Sequence, residues 1–220
     1  MITLKNVSKI YNKGSVEFRA LDNVSLEIKK GDFLAITGKS GSGKSSLLNL
    51  IAGLDSVDEG EIKIGDIMIT NLSENNKAKW RGKNIGIVFQ FFQLIPTLTA
   101  LENILLAMDF VGIIPIYKRK EKALSLLKSL DIEKQAFKYP AIMSGGEQQR
   151  CAIARACAND PDIIAADEPT GNLDSHNSEL IFNYFKELNN RGKTIITVTH
   201  DKDLAKYADS QILLIDGHVE

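Results

Sequence analysis

The sequence predicts an α/β fold into which a helical segment is inserted. Short apolar runs rich in β-branched residues alternate with longer amphipathic segments, as happens where strands lead into helices. Between residues 91 and 158 no comparable run occurs, and apolar residues recur with the spacing of helices. We therefore divide one domain of 220 residues into an α/β core, residues 1–90 and 159–220, and a helical subdomain, residues 91–158.

Individual elements follow from the same patterns. The predicted strands are Thr3–Val7, Val24–Ile28, Phe33–Thr37, Glu61–Ile64, Ile85–Phe89, Ile163–Ala166, Thr194–Val198 and Ile212–Ile215. Helical spacing is present in Ala100–Phe110, Tyr117–Leu130 and Gly145–Ala158. Strands that alternate with helices predict a parallel sheet in the core.

Charge and composition make several classes of protein unexpected. Lys and Arg total 27 against 28 for Asp and Glu, so no basic surplus indicates nucleic acid as a partner. The longest apolar stretch, Ile104–Tyr117, is interrupted by Asp109 and is shorter than the roughly 20 residues that span a bilayer. The N-terminus lacks the apolar core of a signal peptide. Any connection to a membrane is therefore expected through another chain.

The two cysteines are not expected to pair. Cys151 and Cys157 fall six positions apart on one predicted helix, which places them on different faces. Neither a metal pair nor a disulfide is favoured by this spacing, and a reducing cytoplasm fits it.

A phosphate-binding loop is predicted at Gly38–Ser45, which matches the pattern G-x-x-x-x-G-K-[ST]. It stands between the apolar run FLAIT and a helical run, the context that the motif requires. Glycines let successive backbone N–H groups point at phosphate oxygens, and the helix N-terminus adds positive potential. Lys44 is predicted to neutralise the β- and γ-phosphates of ATP and Ser45 to ligate Mg²⁺. The predicted ATP-binding residues here are Gly38, Lys39, Ser40, Gly41, Ser42, Gly43, Lys44, Ser45 and Ser46.

Two carboxylates end a later apolar strand, in the run DIIAADE. Asp167 is predicted to hold the water shell of Mg²⁺, and Glu168 to act as the general base on the attacking water. His200 follows the strand TIITV and is expected at the same sheet edge, where it would contact the γ-phosphate and the water.

Residues 143–150, MSGGEQQR, resemble the signature motif of ABC ATPases, usually written LSGGQ. Further motifs of that family occur in order along essentially the whole chain. The resemblance implies that Tyr11 stacks on adenine, that Gln90 is a catalytic and Mg²⁺-contacting residue, and that Asp174 belongs to the D-loop. It also implies that His200 is catalytic. The residues expected to contact the nucleotide of a second subunit are Ser144, Gly145, Gly146 and Glu147.

The same resemblance implies a P-loop NTPase core of the RecA type, with antiparallel strands at the N-terminus and an inserted helical subdomain. It also implies an assembly. Two copies would enclose two MgATP, each bound by one copy's phosphate loop and the other copy's signature. The dimer would work at the cytoplasmic face of a membrane, attached through a separate integral membrane permease. The helical subdomain would form the docking surface, although the pair Phe91–Phe92 could equally be ordinary core.

The runs LTALENI and DEPTGNLD look like a branch of that family containing macrolide-export, lipoprotein-release, bacitracin-resistance and FtsE-type ATPases. The expected function is to drive export or release of a peptide, antibiotic or lipoprotein. An alternative is a mechanical regulator of a cell-wall or division complex. A soluble ATPase of translation or DNA repair fits less well, because neither a second cassette nor a long coiled-coil insertion is seen in the sequence. A small-molecule kinase fits less well still, because the sequence suggests no acceptor pocket and the signature motif would be unexplained.

Three positions depart from the family pattern. Met143 and Glu147 replace the commoner Leu and Gln of the signature, and Lys39 stands where Pro is frequent. Met preserves the apolar volume of Leu. A carboxylate at Glu147 would repel the phosphates of a second subunit's nucleotide unless it turns toward ribose or solvent.

Overall fold

The computed structural model describes residues 1–13 and 16–220. In these residues the strands are β1 (Ile2–Lys13), β2 (Val16–Ile28), β3 (Phe33–Thr37), β4 (Glu59–Ile64), β5 (Ile67–Met68), β6 (Ile85–Val88), β7 (Ile163–Asp167), β8 (Thr194–Val198), β9 (Ser210–Ile215) and β10 (His218–Val219). The helices are α1 (Lys44–Ile51), α2 (Glu74–Asn84), α3 (Ala100–Val111), α4 (Ile116–Ser129), α5 (Gly145–Ala156), α6 (Ser175–Asn190) and α7 (Lys202–Tyr207).

These strands form two sheets. Four of them make an antiparallel sheet in the order β2-β1-β4-β5, and six make a second sheet in the order β10-β9-β3-β8-β7-β6. Within the second sheet β9, β3, β8, β7 and β6 are mutually parallel, and only β10 runs against its neighbour. The predicted α/β fold with antiparallel N-terminal strands is confirmed.

Strand prediction was accurate except in the N-terminal hairpin. Elsewhere the predicted ends differ from the observed ones by at most two residues, but β1 and β2 extend well beyond Thr3–Val7 and Val24–Ile28. The pairing of β1 with β2 shifts register three times, and Asn6 and Asn23 adopt positive φ. Such bulges break the two-residue alternation by which a strand is read, so the pattern predicted pieces that were too short.

The sequence patterns did not predict helices α2, α6 and α7 or strands β5 and β10. Helix α2 is almost wholly polar, with Trp80 as its one large buried apolar residue, so it has no periodic apolar face to detect. Strands β5 and β10 have two residues each, too few for alternation. Helix α6 does carry the periodic residues Ile181 and Phe185, both fully buried, and was detectable.

Buried side chains form two apolar clusters on opposite faces of the six-stranded sheet. Along β7 the residues alternate, with Ile163 and Ala165 in one cluster and Ile164 and Ala166 in the other. The first cluster joins the sheet to the antiparallel strands and to α1. The second joins it to α3, α4, α5 and α6. Residues 91–158, all of them described, contain no strand and pack as helices on that second face.

Two further expectations concern cysteines and membranes. Cys151 and Cys157 are buried and form no disulfide, with Cys157 at the C-cap of α5. Of the helices in the described ranges, none combines the length and apolar character needed to cross a bilayer.

Candidate functional site

A cavity of about 500 Å³ lies at the carboxyl edge of β3, β7 and β8. Because these parallel strands are neighbours in the sheet, the loops that follow them meet at one edge. The cavity is lined by Phe18, Ser40, Gly41, Gly43, Lys44, Ser45, Ser46, Gln90, Asp167, Glu168, Gly171, Val198 and His200. The phosphate loop, both carboxylates, Gln90 and His200 therefore share one site, although they come from distant parts of the chain.

Glycine is required in the phosphate loop by close approach to other backbone. A Cβ atom on Gly38 would lie 2.2 Å from the carbonyl oxygen of Leu214, and one on Gly43 would lie 2.2 Å from that of Ala20. Both glycines also have positive φ, 145° and 101°. Gly38 and the buried Ser42 thus shape the loop from behind and do not line the cavity, and the side chain of Lys39 is exposed.

Lys44 contributes a cation to the cavity wall. Its Nζ donates to the carbonyl oxygens of Gly38, at 3.0 Å, and Lys39, at 2.7 Å, and the residue is buried. Burial lowers the pKa of Lys44, an effect that the charges of Glu168 and Asp167 oppose. Helix α1 begins at this residue with no side-chain cap, so its first amides remain available to an anion. These features fit a triphosphate.

The predicted magnesium ligands are adjacent. Ser45 Oγ donates to Asp167 Oδ1 at 3.2 Å, across 122 positions of sequence. Desolvation by burial raises the pKa of Asp167, and the Ser45 hydroxyl and the Lys44 charge offset part of that rise. Gln90 lines the same cavity. Hydroxyl, carboxylate and amide oxygens are ligands that Mg²⁺ accepts, so the residues present fit the ion.

Glu168 and His200 form a pair at the cavity wall. His200 Nε2 lies 3.1 Å from Glu168 Oε1, and the backbone N–H of His200 donates to Glu168 Oε2 at 3.2 Å. The Glu168 side chain is only 13% exposed, and desolvation raises its pKa more than the His200 backbone bond lowers it. Glu168 also has a φ of 45°, a strained conformation of the kind that clusters at functional sites.

Tyr11 lies beside the cavity and not in its wall. Its hydroxyl donates to Asp55 Oδ2 at 2.8 Å, and Lys9 Nζ lies 5.1 Å from the centroid of its ring. The aromatic residue that does line the cavity is Phe18, which pairs with Tyr11 across the hairpin and is 53% exposed. Sequence reasoning missed Phe18 because it predicted no strand at that position. Stacking of Tyr11 on adenine stays a prediction.

The turn Ser144–Gly146, which we call the signature turn, opens α5 and contributes nothing to the cavity wall. Its hydrogen bonds form a capping box. The Ser144 hydroxyl accepts from the backbone N–H of Glu147 at 3.3 Å, and Glu147 Oε2 accepts from the backbone N–H of Ser144 at 2.7 Å. Gln135 Nε2 donates to the other oxygen, Oε1, at 2.5 Å. The spacing S-x-x-E in the sequence is the signature of such a box.

Comparison with known proteins identifies the family. The protein-family model described as ABC transporter matches residues 21–171, about two thirds of the chain. An ABC transporter ATP-binding protein of Methanocaldococcus jannaschii, MJ0796, is 48% identical over the whole of this chain and 95% of its own length. This chain belongs to the ABC transporter family.

Solved structures and named relatives of the family agree with this assignment. A dimeric structure of MJ0796 in a post-hydrolysis state, bound to ADP and Pi, superposes with a TM-score of 0.95 at 47% identity, covering 100% of this chain and 97% of that one. The lipoprotein-releasing ATP-binding protein LolD of Francisella tularensis is 42% identical over 100% of this chain and 96% of its own. The macrolide export protein MacB of Hyphomonas neptunium is also 42% identical, and this chain spans 34% of its length. The resemblance to this branch of the ABC family is confirmed.

The capping box gives Glu147 a testable structural role in the ABC signature. Replacing Glu147 with Ala should lower the free energy of unfolding by about 1 kcal/mol, since the N–H of Ser144 loses its acceptor. That N–H, together with Ser144 and Gln135, holds the pKa of Glu147 below its ordinary value. A depressed pKa means that the contribution is present above the unfolded pKa, about 4.3, and is lost as the pH falls through the folded value. Urea unfolding at pH 7 measures the loss of stability, and urea unfolding at acid pH measures its pH dependence.

A matched control is Glu179→Ala, which removes a carboxylate from the exposed face of α6. It should change stability little at either pH. Equal stability of the Glu147→Ala and wild-type proteins at pH 7 would contradict the capping role.

Proposed function

We propose that two copies of this chain enclose two MgATP and, by binding and hydrolysing them, drive a separate membrane permease that exports or releases a substrate. The chain is an ATPase of the ABC type, and the proposal concerns its assembly and its task. The observation that carries it is the division of the site. One cavity holds the phosphate loop, both carboxylates and His200, whereas the signature turn opens a different helix outside it.

Each copy thus carries one uncapped helix start in the cavity, at α1, and a second helix start outside it, at α5, where Ser144 and Glu147 form the capping box. A single triphosphate in the cavity contacts the first, and the signature turn of a second copy supplies the other. Closure depends on contacts made only in the closed state, so loss of the γ-phosphate removes what favours it. The dimer of MJ0796 bound to ADP and Pi supports this arrangement.

Hydrolysis is assigned to the cavity residues. Lys44 compensates phosphate charge, and Glu168 accepts a proton from the attacking water through its carboxylate, helped by a raised pKa. His200, whose backbone N–H donates to Glu168 Oε2 and whose Nε2 lies 3.1 Å from Oε1, orients that carboxylate. Ser45 and Gln90 would hold Mg²⁺ directly and Asp167 through water, and the bound ion would neutralise charge on the phosphate oxygens.

The docking surface for the permease is proposed on the helical subdomain, next to Gln90. Phe91 is 70% exposed and Phe92 is half-buried, so the first of the pair is available for a partner. Phe110, 82% exposed, is the most exposed of the large apolar residues on the same subdomain. Attachment there would place the ATPase at the cytoplasmic face of a membrane.

Affinity purification of the tagged chain from detergent-solubilised membranes tests the assembly. We expect an integral membrane chain to co-purify and to raise the ATPase rate. Phe91→Ser should lose that chain while retaining ATP-dependent dimerisation in light scattering. The control Ile67→Ser changes an exposed apolar residue on β5, in the antiparallel sheet, and should retain the partner. Recovery of no membrane chain, or equal recovery with both variants, would contradict the proposed docking.

A further inference from the structure

We propose that Asn177 is a positioning residue of the signature turn and that, through Asp174, it ties this turn to the segment that carries Glu168. The proposal rests on the proposed dimer, because the turn acts on the nucleotide of a second copy. It adds a residue outside the known motifs to the machinery of that site.

The side chain of Asn177 is held at every polar atom. Its backbone N–H donates to Asp174 Oδ1 at 2.8 Å, and its Nδ2 donates to Asp174 Oδ2, also at 2.8 Å. Its Oδ1 accepts from Arg150 Nη1. A carboxylate only accepts and a guanidinium only donates, so the amide has one orientation that satisfies both neighbours. Asn177 is therefore a rigid bridge between the start of α6 and the first turns of α5.

Gly146 packs directly on that amide. A Cβ atom at Gly146 would lie 2.5 Å from Asn177 Oδ1, 2.6 Å from Cγ and 3.0 Å from Nδ2. Gly146 does not have a positive φ, so its backbone conformation is open to other residues. The space that a Cβ atom would need at this position is taken by the Asn177 amide. The position of the signature turn is consequently set by the amide of a residue on another helix.

Arg150 stabilises the same contact from within α5. It follows Gly146 by four positions and is 9% exposed, and desolvation lowers its pKa, opposed by the charges of Glu147, Asp131 and Asp174. A guanidinium buried to this extent is costly unless its donors are used. The bond to Asn177 Oδ1 uses one of them, so breaking it disturbs both partners.

Hydrogen-bonded turns of the main chain lead from this bridge back to the backbone of Glu168. The backbone N–H of Gly171 donates to the carbonyl oxygen of Glu168 at 3.2 Å, and that of Leu173 donates to Thr170 at 3.0 Å. Asp174 follows immediately and caps α6. The segment from Glu168 to Asn177 is thus a series of hydrogen-bonded turns.

A double-mutant cycle tests the contact. In a Glu168→Gln background, we compare Asn177→Ala, Gly146→Ala and the double variant by light scattering with MgATP. Asn177→Ala should weaken ATP-driven dimerisation about tenfold, because Arg150 loses a buried partner. Gly146→Ala should weaken it on the order of 100-fold, since its methyl group displaces the turn. The double variant should recover to the level of Asn177→Ala alone, because removal of the amide leaves room for the methyl group.

Asn183→Ala, on the exposed face of α6, is the matched control and should leave dimerisation unchanged. Binding of MgATP to each monomer, measured by calorimetry, should be the same in all variants because the phosphate loop is untouched. A double variant as weak as Gly146→Ala, or wild-type dimerisation in Asn177→Ala, overturns the proposal.

The same double-mutant cycle, measured by urea unfolding without nucleotide, tests the contact between Gly146 and Asn177 independently of the proposed dimer. If the Glu168→Gln protein forms no ATP-dependent dimer at all, the proposed function fails. The unfolding cycle then still decides the contact: non-additive destabilisation by Gly146→Ala and Asn177→Ala supports it, and additive effects overturn it.

Discussion

Replacing Glu168 with Gln is expected to suppress ATP turnover by roughly 10² to 10⁴ while leaving MgATP bound. Glutamine has the size of glutamate and can still accept the hydrogen bond from the His200 backbone, but it cannot take a proton from water. Because bound ATP is no longer consumed, the closed dimer should accumulate. Phosphate release measures turnover, and light scattering measures the dimer.

The control for this variant is Asp162→Asn, at the opposite end of β7. Asp162 is 66% exposed and lies 3.8 Å from Lys30 and 3.9 Å from Lys193, so its loss should cost little. Its turnover should remain close to that of the wild type. Undiminished hydrolysis by Glu168→Gln, with no ATP-dependent dimer, would refute the role of Glu168 as the general base.

Lys44→Ala is expected to weaken binding of MgATP about 100-fold or more. Its ammonium group is the buried cation of the cavity, and truncating one member of a close charged contact typically costs 2–5 kcal/mol, by the order of magnitude known from binding studies. The carbonyl oxygens of Gly38 and Lys39 would also lose their donor. Calorimetric titration with MgATP measures the affinity, and thermal unfolding checks that the variant is folded.

Lys39→Ala is the matched control, since it removes a lysine from the same loop. The Lys39 side chain is exposed and outside the cavity wall, so affinity for MgATP should stay within a few-fold of the wild type. Wild-type affinity in Lys44→Ala, or equal losses in the two variants, would be inconsistent with the role assigned to Lys44.

Most of the predicted site follows from local sequence motifs. The phosphate loop depends on glycines and on the strand and helix that flank it, all within about twenty residues of chain. Asp167, Glu168 and His200 could be placed beside it because the carboxyl ends of neighbouring parallel strands share one edge. The hydrogen bond between Ser45 and Asp167 agrees with that placement.

Two features that local sequence patterns indicate, the capping box of α5 and helix α6, were not predicted. Ser144 and Glu147 have the spacing of a capping box, and their hydrogen bonds turn the carboxylate back onto its own helix. The carboxylate is therefore hydrogen-bonded to Ser144 and Gln135, which fixes its orientation on its own helix. Helix α6 has a regular apolar face that could have been detected by its period.

By itself, the sequence determined the α/β fold, the phosphate loop and the order of the catalytic motifs, because each depends on neighbours along the chain or on the alternation of strands and helices. Only the tertiary structure decided that Phe18 lines the cavity, through the irregular register of the first hairpin, and that Asn177 packs on Gly146. Such contacts join side chains from separate elements. Their distances depend on how sheets and helices pack, which composition, spacing and periodicity do not specify.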